Sequence, residues 1–171
     1  MDAPRDAVDL IRLTDRPGRG LTVRVRGRAR PGVLPDHDVL DGEIAVESES
    51  GRAVFPVALL PEDLEDWEDA LSALESGRCA EWLDSGRTPS VSVGPAGRGG
   101  LGVAVHDGPA TGTRITVLLP SLPGDWAAEQ RALLARVREV FPQEVVETSP
   151  GTYAWRPGRT RPHGARTPVT D

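Results

Sequence analysis

The sequence contains no lysine, no asparagine and only one cysteine in 171 residues. The single thiol, Cys79, excludes an internal disulfide and any multi-cysteine zinc site. All 20 basic residues are arginine, the habit of a GC-rich coding sequence, so arginine abundance says nothing about phosphate recognition. No apolar run approaches the ~20 residues needed to span a bilayer. The start, Met1 to Asp6, is acidic and lacks an apolar signal segment. These absences place the chain in the cytosol, away from membranes. A net charge of −6 argues against general nucleic-acid binding, which rests on a basic footprint.

What is present is turn-rich. With 19 Gly and 16 Pro, the chain reads as a polar globular protein, neither coiled coil nor disordered. Leu21 to Arg28 alternates, with Leu21, Val23 and Val25 on one face and Arg24, Arg26 and Arg28 on the other. Val39 to Glu49 alternates in the same way, with Leu40, Gly42, Ile44 and Val46 inward. Further strands are predicted at 8–14, 53–59, 90–93, 101–106 and 114–119. Pro56 cannot donate to a ladder, so its strand belongs at an edge or carries a bulge.

Two amphipathic helices are predicted, over 61–76 and 125–141. Pro61 suits a first helical position, and Leu64, Trp67, Leu71 and Leu74 make an apolar stripe. Asp125 is the predicted N-cap of the second helix, with Trp126, Leu133, Leu134, Val137 and Val140 as its stripe. Residues 145–155 are expected to add one short extended piece. The fold class is therefore α+β: an antiparallel sheet or loose sandwich of about seven strands with two helices. Residues 1–155 form one domain, and 156–171, rich in Arg, Pro and Gly, reads as a disordered basic tail.

Charge is sorted along the chain. Residues 12–30 hold seven Arg and one Asp, whereas 31–76 hold thirteen acids and one Arg. Neighbouring strands that pair Arg24, Arg26 and Arg28 with Asp41, Glu43 and Glu47 account for part of this. The first helix is different: it carries seven acids and no base. Glu62, Glu65, Asp66 and Asp69 fall opposite its apolar stripe and are the candidate contacts for a basic protein partner.

Catalytic signals are sparse. Gly97 to Gly102 matches G-x-G-x-x-G, but a strand pattern follows where a dinucleotide site needs a helix, so a hairpin turn is expected. Cys79 has no defined base beside it and reads as a small buried hydrophobe. G-x-S-x-G, P-loop and H-E-x-x-H patterns are absent. Two pairs, His37-Asp38 and His106-Asp107, would make a metal or acid-base site if the fold joined them. Trp67 and Trp126 lie on apolar helix stripes and read as core; Trp155 stands beside the basic tail. No cofactor is implied.

The run Pro31 to Ile44, the block Leu60 to Trp67 and the block Trp82 to Arg87 resemble an uncharacterised family of GC-rich actinobacteria, over about residues 8–142. Members of that family read S-P-E-D before the helix; Leu60 replaces the Ser, which weakens the cap by ~1 kcal/mol. The resemblance implies a fold and assigns no activity. The order of elements is also similar to that of wall-associated toxin-immunity proteins. The expected function is accordingly non-catalytic binding, in the form of immunity-like neutralisation of a basic protein. The alternative is a small enzyme or ligand-binding protein built on His37, Asp38, His106 and Asp107.

Overall fold

A computed structural model describes residues 7–15 and 17–158 of the protein. The chain runs β1 (Val8–Thr14), β2 (Gly20–Arg28), a 3-10 turn (Asp36–Asp38), β3 (Leu40–Ser48), β4 (Gly51–Leu59) and α1 (Pro61–Glu75). It continues with β5 (Ala80–Trp82), β6 (Ser90–Ala96), β7 (Gly100–Asp107), β8 (Thr113–Leu119), α2 (Trp126–Val140), β9 (Val145–Ser149) and β10 (Thr152–Trp155). The class is α+β and all strand pairs are antiparallel.

The strand count is a correction: ten among the described residues, in three sheets, where about seven were expected. The sheets order as β1-β2-β3-β4, β5-β6-β7-β8 and β10-β9. Ala80–Trp82 is three residues long, too short to display a period of two. The expected single piece at 145–155 is a hairpin, folded back where Gly151 takes φ +77°, a region that favours glycine.

Sequence pattern dictates the first sheet. In β3, Leu40, Gly42, Ile44 and Val46 are buried and alternate with partly exposed Asp41, Glu43 and Ala45. Gly42 sits so close to β2 that a Cβ there would lie 2.6 Å from the Arg24 carbonyl oxygen. Pro56 lies on β4, an outer strand, as its missing N–H requires. In β1 a bulge between Asp9 and Ile11 breaks the alternation, which is how consecutive Leu10 and Ile11 are both fully buried.

The opposite outer strand, β1, is covered by α2. Gln130 is fully buried and bonds to the backbone of Arg12 twice. Its Oε1 accepts the Arg12 N–H at 2.8 Å, and its Nε2 donates to the Arg12 carbonyl at 2.9 Å. The side-chain amide thus completes a ladder that would otherwise present a raw edge. Asp125 makes no side-chain cap bond, contrary to expectation; the Trp126 N–H donates instead to the Pro123 carbonyl at 3.1 Å.

One continuous apolar core joins both large sheets and both helices. Trp67 of α1 and Trp82 of β5 meet with ring centroids 5.5 Å apart, and the Trp82 indole N–H donates to the Asp63 carbonyl at 2.7 Å. Cys79 is exposed rather than buried, because it follows the glycine stop of α1 and precedes the short β5. Its Sγ lies against Gly94, where a Cβ would come within 2.7 Å.

Candidate functional site

The charge segregation largely cancels within the first sheet. Arg24 stands opposite Glu43 in the β2–β3 register, and Arg26 bonds Asp41 at 3.1 Å. Arg19 reaches Glu49, Arg30 reaches Asp36, and Arg28 reaches Asp38 at 2.6 Å. Glu47 faces Gly20 on one side and Arg52 on the other. The pairing of oppositely charged strands is therefore the account for this part of the chain.

On α1 the acids divide into two groups. Glu68 is paired with Arg138 at 2.8 Å, Glu75 with Arg131, and Asp63 faces Arg87 at 3.5 Å. Glu62, Glu65, Asp66 and Asp69 are exposed, and none has a hydrogen bond or ion pair among the described residues. These are the four residues that the helical pattern places opposite the apolar stripe. Asp66 and Asp69 also line a groove of about 330 Å³ together with Glu81 and Asp84. The last two went unnoticed in the sequence because β5 did. The alternation of half-buried Ala80, exposed Glu81 and buried Trp82 was the available signal, and three residues are too few to carry it.

Asp63 belongs to the helix start and is buried. Its Oδ2 accepts the Leu60 N–H at 2.7 Å, taking over part of the work of the missing cap side chain. Burial pushes its carboxyl above the ordinary value, and neighbouring Glu62 and Asp66 add to this. The Leu60 N–H and the Arg87 charge pull the other way without prevailing.

The two His-Asp pairs are not joined by any hydrogen bond or ion pair among the described residues. His37 and Asp38 lie in the 3-10 turn and are buried. The Gly32 N–H donates to His37 Nδ1 at 2.7 Å, which leaves Nε2 to carry the proton toward Glu144 at 3.0 Å. Trp155 packs edge-on against this ring with centroids 4.6 Å apart. Asp38 accepts the N–H groups of Glu144 and Val145 and the Arg28 guanidinium. Arg28 also donates to the Pro142 carbonyl at 2.6 Å. This network docks the β9–β10 hairpin onto the first sheet. Its members Glu144 and Arg28 were not identifiable from sequence, since the contact spans more than a hundred residues.

His106 is exposed on β7, in register with Arg114, whereas Asp107 is buried. Asp107 accepts from the Thr111 N–H and hydroxyl and shapes the β7–β8 turn. No group of three or more His, Cys, Asp or Glu residues among the described ones has the geometry to hold a metal ion. No helix among them is long and apolar enough to cross a membrane. Gly97 to Gly100 forms the β6–β7 hairpin turn. Of the expected tail, Arg156 is bonded to the Glu144 carbonyl and to Gln143, while 159–171 lies outside the described residues.

The described residues thus form an antiparallel α+β fold in which four exposed acids of α1 have no ion pair among those residues. The chain belongs to a family of unknown function, DUF5959, whose model matches residues 8–142. No curated protein and no solved structure matches it.

Proposed function

We propose that the protein is a non-catalytic cytosolic binding module whose acidic α1 face takes a basic region of a protein partner. One observation carries this reading: Glu62, Glu65, Asp66 and Asp69 are exposed without a paired cation among the described residues, on a helix whose other acids are paired. Carboxylates held this way keep a field of one sign, which steers a basic partner and raises its association rate. Asp84 and Glu81 extend the negative surface across the adjoining groove. The form, immunity-like neutralisation of that partner, is suggested only by the order of elements read from the sequence. The alternative built on a joint His/Asp cluster is not proposed, because no observation favours it.

The test is affinity capture from native lysate with mass spectrometry, using the intact chain and a variant carrying Glu62→Arg, Glu65→Arg, Asp66→Arg and Asp69→Arg. The intact chain is expected to retain a basic protein, less of it as salt rises. The variant is expected to lose it while melting like the parent, since the four side chains make no internal bond. Capture unaffected by the reversal rejects the site.

A further inference from the structure

A second charged surface, formed by other residues, lies between β1 and α2. A groove of about 520 Å³ is lined by Asp9, Arg12, Arg24 and Arg136, with Leu133 and Val140 among its apolar lining. The lining carries three guanidiniums against one carboxylate, with Glu43, Glu129 and Glu139 standing around them outside the lining. Asp9 is nearly buried, with a side-chain exposure of 9%, and it clamps two of the arginines. Its Oδ1 accepts from Arg24 Nε at 2.8 Å, and its Oδ2 accepts from Arg12 Nε at 3.2 Å and Nη2 at 2.5 Å. Burial alone would raise the Asp9 carboxyl, but the hydrogen bonds and charges of Arg24 and Arg12 outweigh it and hold it below the ordinary value.

The clamp uses one edge of each guanidinium. The Nη groups of Arg24 have no hydrogen-bond partner among the described residues, although Glu43 stands opposite Arg24 across the β2–β3 register, and Arg136 is engaged only through Nη1, by Glu139 at 2.7 Å. Glu129 stands 3.6 Å from Arg12 Nη1 at the rim. Donors therefore remain on two arginines, one of them fixed by a buried carboxylate, above an apolar strip. Planar guanidiniums with free paired N–H groups match a carboxylate or phosphate in two-point geometry. We infer that this groove binds a small organic anion with one carboxylate or phosphate head and a short apolar chain lying on Leu133 and Val140. Asp9 is a positioning residue for the site, holding Arg24 ready.

The test is an amide NMR titration of the full chain at fixed ionic strength, with hexanoate and hexyl phosphate as probes and hexanol and inorganic phosphate as controls. Saturable shifts are expected at Val8, Arg24, Leu133 and Arg136 with both anionic amphiphiles and not with hexanol. Arg136→Gln and Arg24→Gln are each expected to weaken binding roughly tenfold. Arg136→Gln leaves the Asp9 clamp intact, so it folds and keeps the test decisive even if Arg24→Gln is destabilised. Shifts that never saturate, or an Arg136→Gln titration matching the parent, overturn the site. Inorganic phosphate binding as tightly as hexyl phosphate overturns the role of the apolar strip. Shifts that follow protein concentration instead of added anion identify the acidic face of a second copy as the occupant and overturn the small-ligand assignment.

Discussion

Replacing Gln130 with leucine, and separately with glutamate, tests whether α2 closes the edge of β1 by hydrogen bonding or merely by packing. Leucine matches glutamine in bulk but leaves the Arg12 N–H and carbonyl without their partners at 2.8 and 2.9 Å. Taking about 2 kcal/mol for each of the two orphaned buried groups and about 1.5 returned by the added apolar burial, the net loss is about 2–3 kcal/mol. Ionised glutamate accepts from the Arg12 N–H but turns a lone pair toward the Arg12 carbonyl. Protonated glutamate donates there and restores both bonds. Burial raises the carboxyl at this position, so its contribution is complete below the unfolded value of about 4.3 and is lost as pH rises through the raised folded value. Urea unfolding followed by far-ultraviolet circular dichroism at about pH 4 and about pH 7 reads all three proteins. The leucine variant is expected to show the same deficit at both pH values, whereas the glutamate variant closes on the parent in acid. A leucine variant within about 0.5 kcal/mol of the parent, or a glutamate deficit that does not shrink in acid, refutes the reasoning.

Other expectations follow from the buried carboxylates. Asp38→Ala strips the Glu144 and Val145 N–H groups of their acceptor and takes from Arg28 the closer of its two carboxylates, Glu144 remaining at 3.9 Å, a loss of about 3 kcal/mol. Hydrogen exchange at the Glu144 and Val145 amides is expected to accelerate more than in β2 or β3, and unchanged protection there would count against the docking role. Asp63→Asn keeps an acceptor for the Leu60 N–H without a buried charge. Because the Asp63 carboxyl is raised, its contribution is present below the ordinary value of 3.8 and is lost as pH rises through the raised one. The variant is therefore expected to gain on the parent from acid toward neutral pH in urea midpoints; the opposite trend would sink the assignment of burial as the dominant cause.

Elements with a long, unbroken period were legible in the sequence. β2, β3, α1 and α2 appear within a residue or two of their predicted spans, and the solvent face of α1 was read correctly from its spacing. What escaped was either short or non-local. β5 has three residues, and the β9–β10 turn rests on one glycine in a positive-φ conformation. The burial of Gln130 depends on a strand 118 residues away, so nothing in the helix pattern marks it as other than a surface amide. The burial of His37 and Asp38 could not be read locally, because their partners arrive from beyond α2. Cys79 was misread because burial preference by residue type ignores the stop of α1 at Gly77, where the chain leaves the core.

The recurrent unit of the family ends at residue 142, yet the physical unit does not. Asp38 and Arg28 sit inside the matched span; Arg28 bonds the carbonyl of Pro142, its last residue, and Asp38 accepts the N–H groups of Glu144 and Val145 beyond it. A chain cut at the family limit keeps the Arg28–Asp38 pair at 2.6 Å but hands to water the lone pairs that Asp38 turns toward the hairpin backbone.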